Sequence, residues 1–156
     1  VQIRAKPCKT DALLHPARTC PEFENTTTLL YSWIRLIRLY EVKFYTKQSG
    51  ESPVKDFLLQ LDVKARAKII KYLEMLQQQG PDLKRPYADI ARGRIRELRV
   101  EYHSNQHRVL YFFFERNDII LLHAFLKKSQ KLKQRDIQLA ENRMNDWINR
   151  KATAKE

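Results

Sequence analysis

From Arg94 to Lys131 the chain alternates apolar runs with short polar interruptions, RIRELRVEYHSNQHRVLYFFFERNDIILLHAFLKKSQK. β-Branched and aromatic residues fill the runs, and turn formers separate them at His103-Ser104-Asn105 and Arg116-Asn117-Asp118. This pattern predicts three consecutive antiparallel strands over 94–101, 106–115 and 118–126, joined by tight turns. Upstream, residues 40–45 alternate as a first strand, with Val42 and Phe44 facing inward. Ser52-Pro53 is a helix-start signal, because proline at the first helical position has no N–H to leave unpaired. Val54, Phe57, Leu58 and Leu61 follow at i, i+3, i+4 and i+7 and give a short helix one apolar stripe. Asp62 caps a second helix, whose inward stripe is read as Val63, Ala67, Ile70, Leu73 and Leu76/Gln77, until Gly80-Pro81 stops it. Its other face carries Lys64, Arg66, Lys68 and Lys71, which reads as a solvated face before a binding surface. Residues 81–93, with two prolines, a glycine and few apolar positions, read as a loop. The final helix, 132–150, sets Ile137, Ala140, Met144, Trp147 and Ile148 on one face. That face is read first as core against the sheet, with a docking face anchored by Trp147 as the rival. The order β-α-α-β-β-β-α predicts an α+β fold: an antiparallel sheet of about four strands, helices on one side, the other face free to bind.

Residues 1–39 differ in character from the rest of the chain. They hold Cys8, Cys20 and three of the six prolines, and show no sustained period before LLYSWIRLIRL. The first methionine is Met75. One expectation is a native start near Leu39, at a non-AUG codon read here as leucine, which makes the preceding segment an upstream artefact or a poorly ordered arm. The other is an amphipathic extension that covers a partner groove or an edge strand. The intact mass of the natively expressed protein separates them. The expected divisions are therefore an extension over 1–39, a domain over 40–150 and a polar tail over 151–156. The two cysteines lack zinc-ligand spacing, and the cysteine-free remainder suits a reducing cytoplasm. No apolar run approaches the ~20 residues that span a bilayer. The longest candidate, Leu29 to Leu39, carries Arg35 and Arg38, so neither a membrane segment nor a targeting segment is assigned.

Charge adds a partner class. The formal net charge is +12, and six Lys/Arg against three Asp/Glu in the first 39 residues leave +9 for the rest. An anionic partner is implied, nucleic acid ahead of membrane, because the cations are not confined to one amphipathic helix. Three glycines in the chain exclude a glycine-rich phosphate cradle. His15, His103, His107 and His123 have no metal-ligand spacing, so no metal or cofactor is expected. What remains is cations, carboxylates and imidazoles on strands. Cleaving RNA without a metal needs a base for the 2′-hydroxyl proton, an acid for the leaving 5′-oxygen and cations for the growing phosphate charge. Arg99, Arg108, Lys128 and Lys131 can supply the last two, and Glu97 or a histidine the first. Plainer readings stand beside these: Arg99 and Glu97, two apart on one strand, can form an ion pair, and Arg108 can simply flank a turn.

Three linked motifs carry a resemblance: Gly93-Arg-Ile-Arg-Glu-Leu-Arg99, His107-Arg-Val-Leu-Tyr-Phe-Phe113 and Leu121-Leu-His-Ala-Phe-Leu-Lys-Lys-Ser-Gln-Lys131. Over about residues 40–150 the chain resembles the phage-like HigB branch of the RelE/ParE toxin superfamily. The resemblance implies a RelE-like fold and a type II toxin neutralised by an antitoxin with a helix-turn-helix domain. It also implies a metal-independent, ribosome-dependent endonuclease acting on messenger RNA. By motif, Arg108 matches the strand arginine that contacts the scissile phosphate, and Lys128 a cation acting as phosphate ligand or acid. Glu97 and Arg99 match the ELR of the branch. His123 belongs to its motif, with a buried hydrogen-bonded histidine as the equal alternative, and Lys127, Lys131 and Arg96 are expected to bind RNA. RelE itself has a tyrosine after the cation matching Lys128 and lysines on the strand of Glu97, and this chain has neither. The rival readings are a ParE-like inhibitor of DNA gyrase and a non-catalytic toxin-fold interaction module.

Overall fold

Strands β3 (Ile95–Tyr102), β4 (Asn105–Phe114) and β5 (Asp118–Lys127) form the antiparallel meander that the alternation predicts. The computed structural model describes residues 40–115, 117–128 and 132–154, so the expectations for residues 1–39 and for Lys131 lie outside the described residues. His103 (φ 51°) and Glu115 (φ 53°) make the two reversals in the left-handed region, where side chains other than glycine are uncommon.

Two strands extend the meander to a sheet of five, one more than expected, in the order β1-β5-β4-β3-β2. Strand β1 (Glu41–Phe44) runs parallel to β5, so the sheet is mixed rather than antiparallel. Lys43 ties the pair together, its Nζ 2.8 Å from an Asp118 carboxylate oxygen. Strand β2 (Ala88–Arg92) lies where a loop was expected and pairs antiparallel with β3. Its sequence is short and polar because it is an edge with only Ala88 buried; the pairing comes from its partner and from the turn at Gly93 (φ 53°), not from a hydrophobic run.

Helices α1 (Pro53–Gln60) and α2 (Val63–Gln79) cover one face of the sheet, and α3 (Gln134–Thr153) covers part of the other, where a free face was expected. Ser52 occupies the N-cap position of α1, but its hydroxyl donates to the Tyr45 carbonyl (3.2 Å) instead of capping the helix. Asp62 does cap α2, accepting from the Lys64 amide. The inward stripe of α2 is Ala65, Ile69, Leu73 and Leu76, not the expected one: of that stripe Leu73 and Leu76 are buried, while Val63, Ala67 and Ile70 face outward. Under α3, Ile95, Leu110, Phe112, Ile120 and Leu122 pack with Ala140 and Trp147, so Trp147 is core. Tyr45 fastens this helix, its hydroxyl donating to Asp146 (2.6 Å) while Arg150 donates to the Thr46 carbonyl (2.7 Å). The helix continues to Thr153, into the stretch expected as a polar tail.

The register of β5 against β4 slips between Leu110 and Tyr111, whose partners are His123 and Leu121. This bulge puts Leu122 and His123 on the same face, and with them turns Phe125 and Lys127 toward the side covered by α3.

Candidate functional site

Past the apolar rows under α3, the same face of the sheet turns charged. Cross-strand partners set the rows: Glu97, Leu110 and His123; then Arg99, Arg108 and Phe125; then Glu101, Gln106 and Lys127. Residues directly opposite on neighbouring strands stand roughly 5 Å apart at Cβ, so each row is a contiguous strip of side chains.

Glu97, only 3% exposed, lies between two guanidiniums. Arg99 donates through Nε to its Oε1, and Arg108 Nε stands 3.6 Å from its Oε2. Arg99 reaches the other way to Asp89 (2.8 Å), which also holds Arg85 (2.7 Å). Arg108 is 6% exposed and donates to the His107 carbonyl (3.1 Å) and to Gln106 Oε1 (3.0 Å). Burial, partly offset by the charge of Glu97, pulls the Arg108 guanidinium below its ordinary value. Arg85 beside it holds the Asp89 carboxyl below the usual range. The expected Arg99–Glu97 ion pair is therefore present, and Arg108 sits within β4 rather than flanking a turn.

One cavity opens on Arg99 and Arg108, and a second lies beside it along the same rows. The first, about 220 Å³, is lined by Tyr72, Tyr87, Arg99, Glu101, Gln106 and Arg108, among others. The second, about 320 Å³, lies where β5 ends and α3 begins, among Phe125, Lys127, Lys128, Lys133, Arg135 and Asp136. The side-chain ammonium groups of Lys127, Lys128 and Lys133 enter no hydrogen bond or ion pair among the described residues.

The sequence-predicted residues divide. Glu97, Arg99, Arg108, Lys127 and Lys128 come to one region. Arg96 does not: it projects to the face under α2, where it donates to the Pro81 carbonyl (3.0 Å) and lies over the Phe113 ring (5.1 Å). His123 lines neither cavity among the described residues. It stacks on Phe125, with Nε2 3.6 Å from Asp136 and Nδ1 3.4 Å from Arg143, and burial followed by the Arg143 charge lowers its pKa. Its side chain is half-buried, 17% exposed, and partnered. Asp89, Gln106, Lys133 and Arg135 belong to the site and were missed. Asp89 lay in the expected loop, and Lys133 and Arg135 carried a signal only as the continuation of the basic run past Lys131.

No three His, Cys, Asp or Glu residues gather to hold a metal ion among the described residues, and none of the described helices is long and apolar enough to cross a membrane. The scaffold and its charges thus define a small α+β protein that carries an arginine–carboxylate network and a lysine-lined pocket. Residues 56–145 match the family model of the phage-derived protein Gp49-like group (DUF891), and the chain belongs to that family, a RelE/HigB-like toxin family of toxin–antitoxin systems. No curated protein matches the chain.

Proposed function

We propose that residues 40–150 form a ribosome-dependent, metal-independent endoribonuclease that cuts messenger RNA, the toxin of a type II pair with a helix-turn-helix antitoxin. The observation that carries the reading is Arg99 and Arg108 side by side across β3 and β4, with Glu97 between them, next to the pocket of Lys127, Lys128, Lys133 and Arg135. In the reaction the 2′-oxygen attacks phosphorus and the bond to the 5′-oxygen breaks, leaving a cyclic phosphate and a protonated 5′-hydroxyl. Arg99 and Arg108 stabilise the charge that grows on the phosphoryl oxygens. Glu97 takes the 2′-proton once the phosphate draws the two guanidiniums toward itself, and Lys128 serves the leaving oxygen. The ribosome fixes the strand in line, and positioning supplies much of the rate, so free RNA is a poor substrate.

Primer extension on a defined message with and without 70S ribosomes tests this. Cuts inside codons only with ribosomes, lost in Arg108→Met, are expected, and RNA binding weakens by ~0.7 log units per log unit of salt for each phosphate neutralised. The clamping of Arg99 between Asp89 and Glu97 favours a second reading, a structural ion network in a non-catalytic or gyrase-inhibiting protein. Folded protein that gives no cuts in either lane overturns the nuclease reading in its favour.

A further inference from the structure

Helix α2 carries two apolar stripes, and the fold consumes one. Ala65, Ile69, Leu73 and Leu76 are buried against the sheet. Val63, Ala67 and Ile70, at i, i+4 and i+7, form a second stripe on the outward side, with Val63 67% and Ile70 45% exposed. Leu59, in the last turn of α1 and four residues before Val63, is 59% exposed. On the wheel of α2, Lys64, Lys68 and Lys71 follow one border of this stripe at i, i+4 and i+7, Arg66 follows the other, and Glu74 closes the C-terminal end. None of these four cationic side-chain charges enters a hydrogen bond or ion pair among the described residues. Like charges at that spacing repel one another, so the ladder is a cost to the helix that an opposite charge removes.

We propose that the outward face of α1 and α2 is a docking surface for an acidic amphipathic helix of a partner protein, with apolar side chains on Val63, Ala67 and Ile70 and carboxylates against the flanking cations. Within the toxin–antitoxin reading, on which the partner's identity rests, that helix belongs to the antitoxin. Charge complementarity selects the occupant. A second copy of this chain would bring the same cations against themselves. RNA would use the cations and leave the aliphatic stripe in water. Val63, Ala67 and Ile70 line neither the cavity at Arg108 nor the lysine pocket, so docking and cleavage can be perturbed separately.

The test uses the full chain and a synthetic helix of about 18 residues, roughly five helical turns, in which leucines at i, i+4, i+7 and i+11 are flanked by glutamates. A scrambled peptide of the same composition is the control. Fluorescence anisotropy is expected to show the amphipathic peptide binding at least about tenfold tighter than the scrambled one, with that preference lost in Val63→Ser/Ile70→Ser and kept in Arg108→Met. Both substituted residues are exposed, and circular dichroism confirms that the variant is folded. Equal affinity for the two peptides, no binding of either, or binding indifferent to the double substitution overturns the proposal. So does loss of RNA binding, or of self-association, as the principal effect of the double substitution. A chain that fails to cut message on ribosomes but binds the amphipathic peptide sinks the nuclease reading alone.

Discussion

Replacing Glu97 by glutamine keeps the shape of the side chain and removes one charge from the centre of the arginine network. Arg108, 8% exposed at its side chain, would then keep only neutral acceptors, Gln106 Oε1 and the His107 carbonyl. Removing one partner of a buried ion pair costs about 3–5 kcal/mol, because the other charge stays buried. Two features place this case at the low end. The Arg108–Glu97 approach is 3.6 Å, longer than a direct hydrogen bond, and Arg99 is 32% exposed and keeps Asp89, so its share is about 0–1 kcal/mol. A loss of about 3 kcal/mol lowers the urea midpoint by about 1–2 M, and the melting temperature by about 10–15 °C. Arg108→Met alone costs less, since Glu97 retains Arg99. The double variant, with neither charge left to desolvate, is more stable than the sum of the two single losses predicts, by about 1–2 kcal/mol. Urea unfolding followed by circular dichroism gives all four corners of the cycle. Glu97→Gln within about 0.5 kcal/mol of the parent, or strict additivity, refutes the claim that these groups form one buried network.

Three further outcomes follow from the packing. His107 is buried on the edge of Phe57, and burial, then the Arg108 charge, holds its pKa below the ordinary histidine value; His123 is depressed in the same direction. The unfolded chain therefore takes up these protons first as pH falls. Stability is full above about pH 7 and drops below about 6.5, by at most about 1.4 kcal/mol per pH unit per histidine, and His107→Phe flattens part of that slope in urea titrations between pH 7 and 5. Tyr45→Phe removes the hydrogen bond to Asp146 and lowers stability by about 1–2 kcal/mol, with amide exchange in α3 rising more than in β4. Gly80→Ala forces a left-handed φ of 55° on a side chain whose Cβ overlaps the Tyr40 ring; a melting temperature lowered by less than about 2–3 °C would show that Tyr40 is free to move aside.

The sequence alone determined the elements whose signal is local. The meander follows from aromatic and β-branched alternation broken at His103 and Asn117. The start of α1 follows from proline at its first position and that of α2 from capping by Asp62, and the inward face of α3 from the spacing of Ile137, Ala140 and Trp147. The meeting of Glu97 with Arg99 was legible too, since residues two apart on a strand share a face. Arg96 was expected with the RNA-binding residues, although it stands three residues from Arg99, an odd spacing that puts it on the other side. Only the tertiary structure decided the rest. No local pattern encodes strand direction, so the parallel pairing of β1 with β5 was hidden. An edge strand such as β2 borrows its order from its neighbour, so it read as a loop and concealed Asp89. Helix α2 has two apolar stripes, and periodicity cannot say which one the sheet buries. The bulge at Leu122–His123 reverses the facing of everything after it on β5, which sets Phe125 and Lys127 beside Arg108. Each of these depends on which surfaces meet, and burial and pairing are properties of two segments at once, whereas propensity and period belong to one.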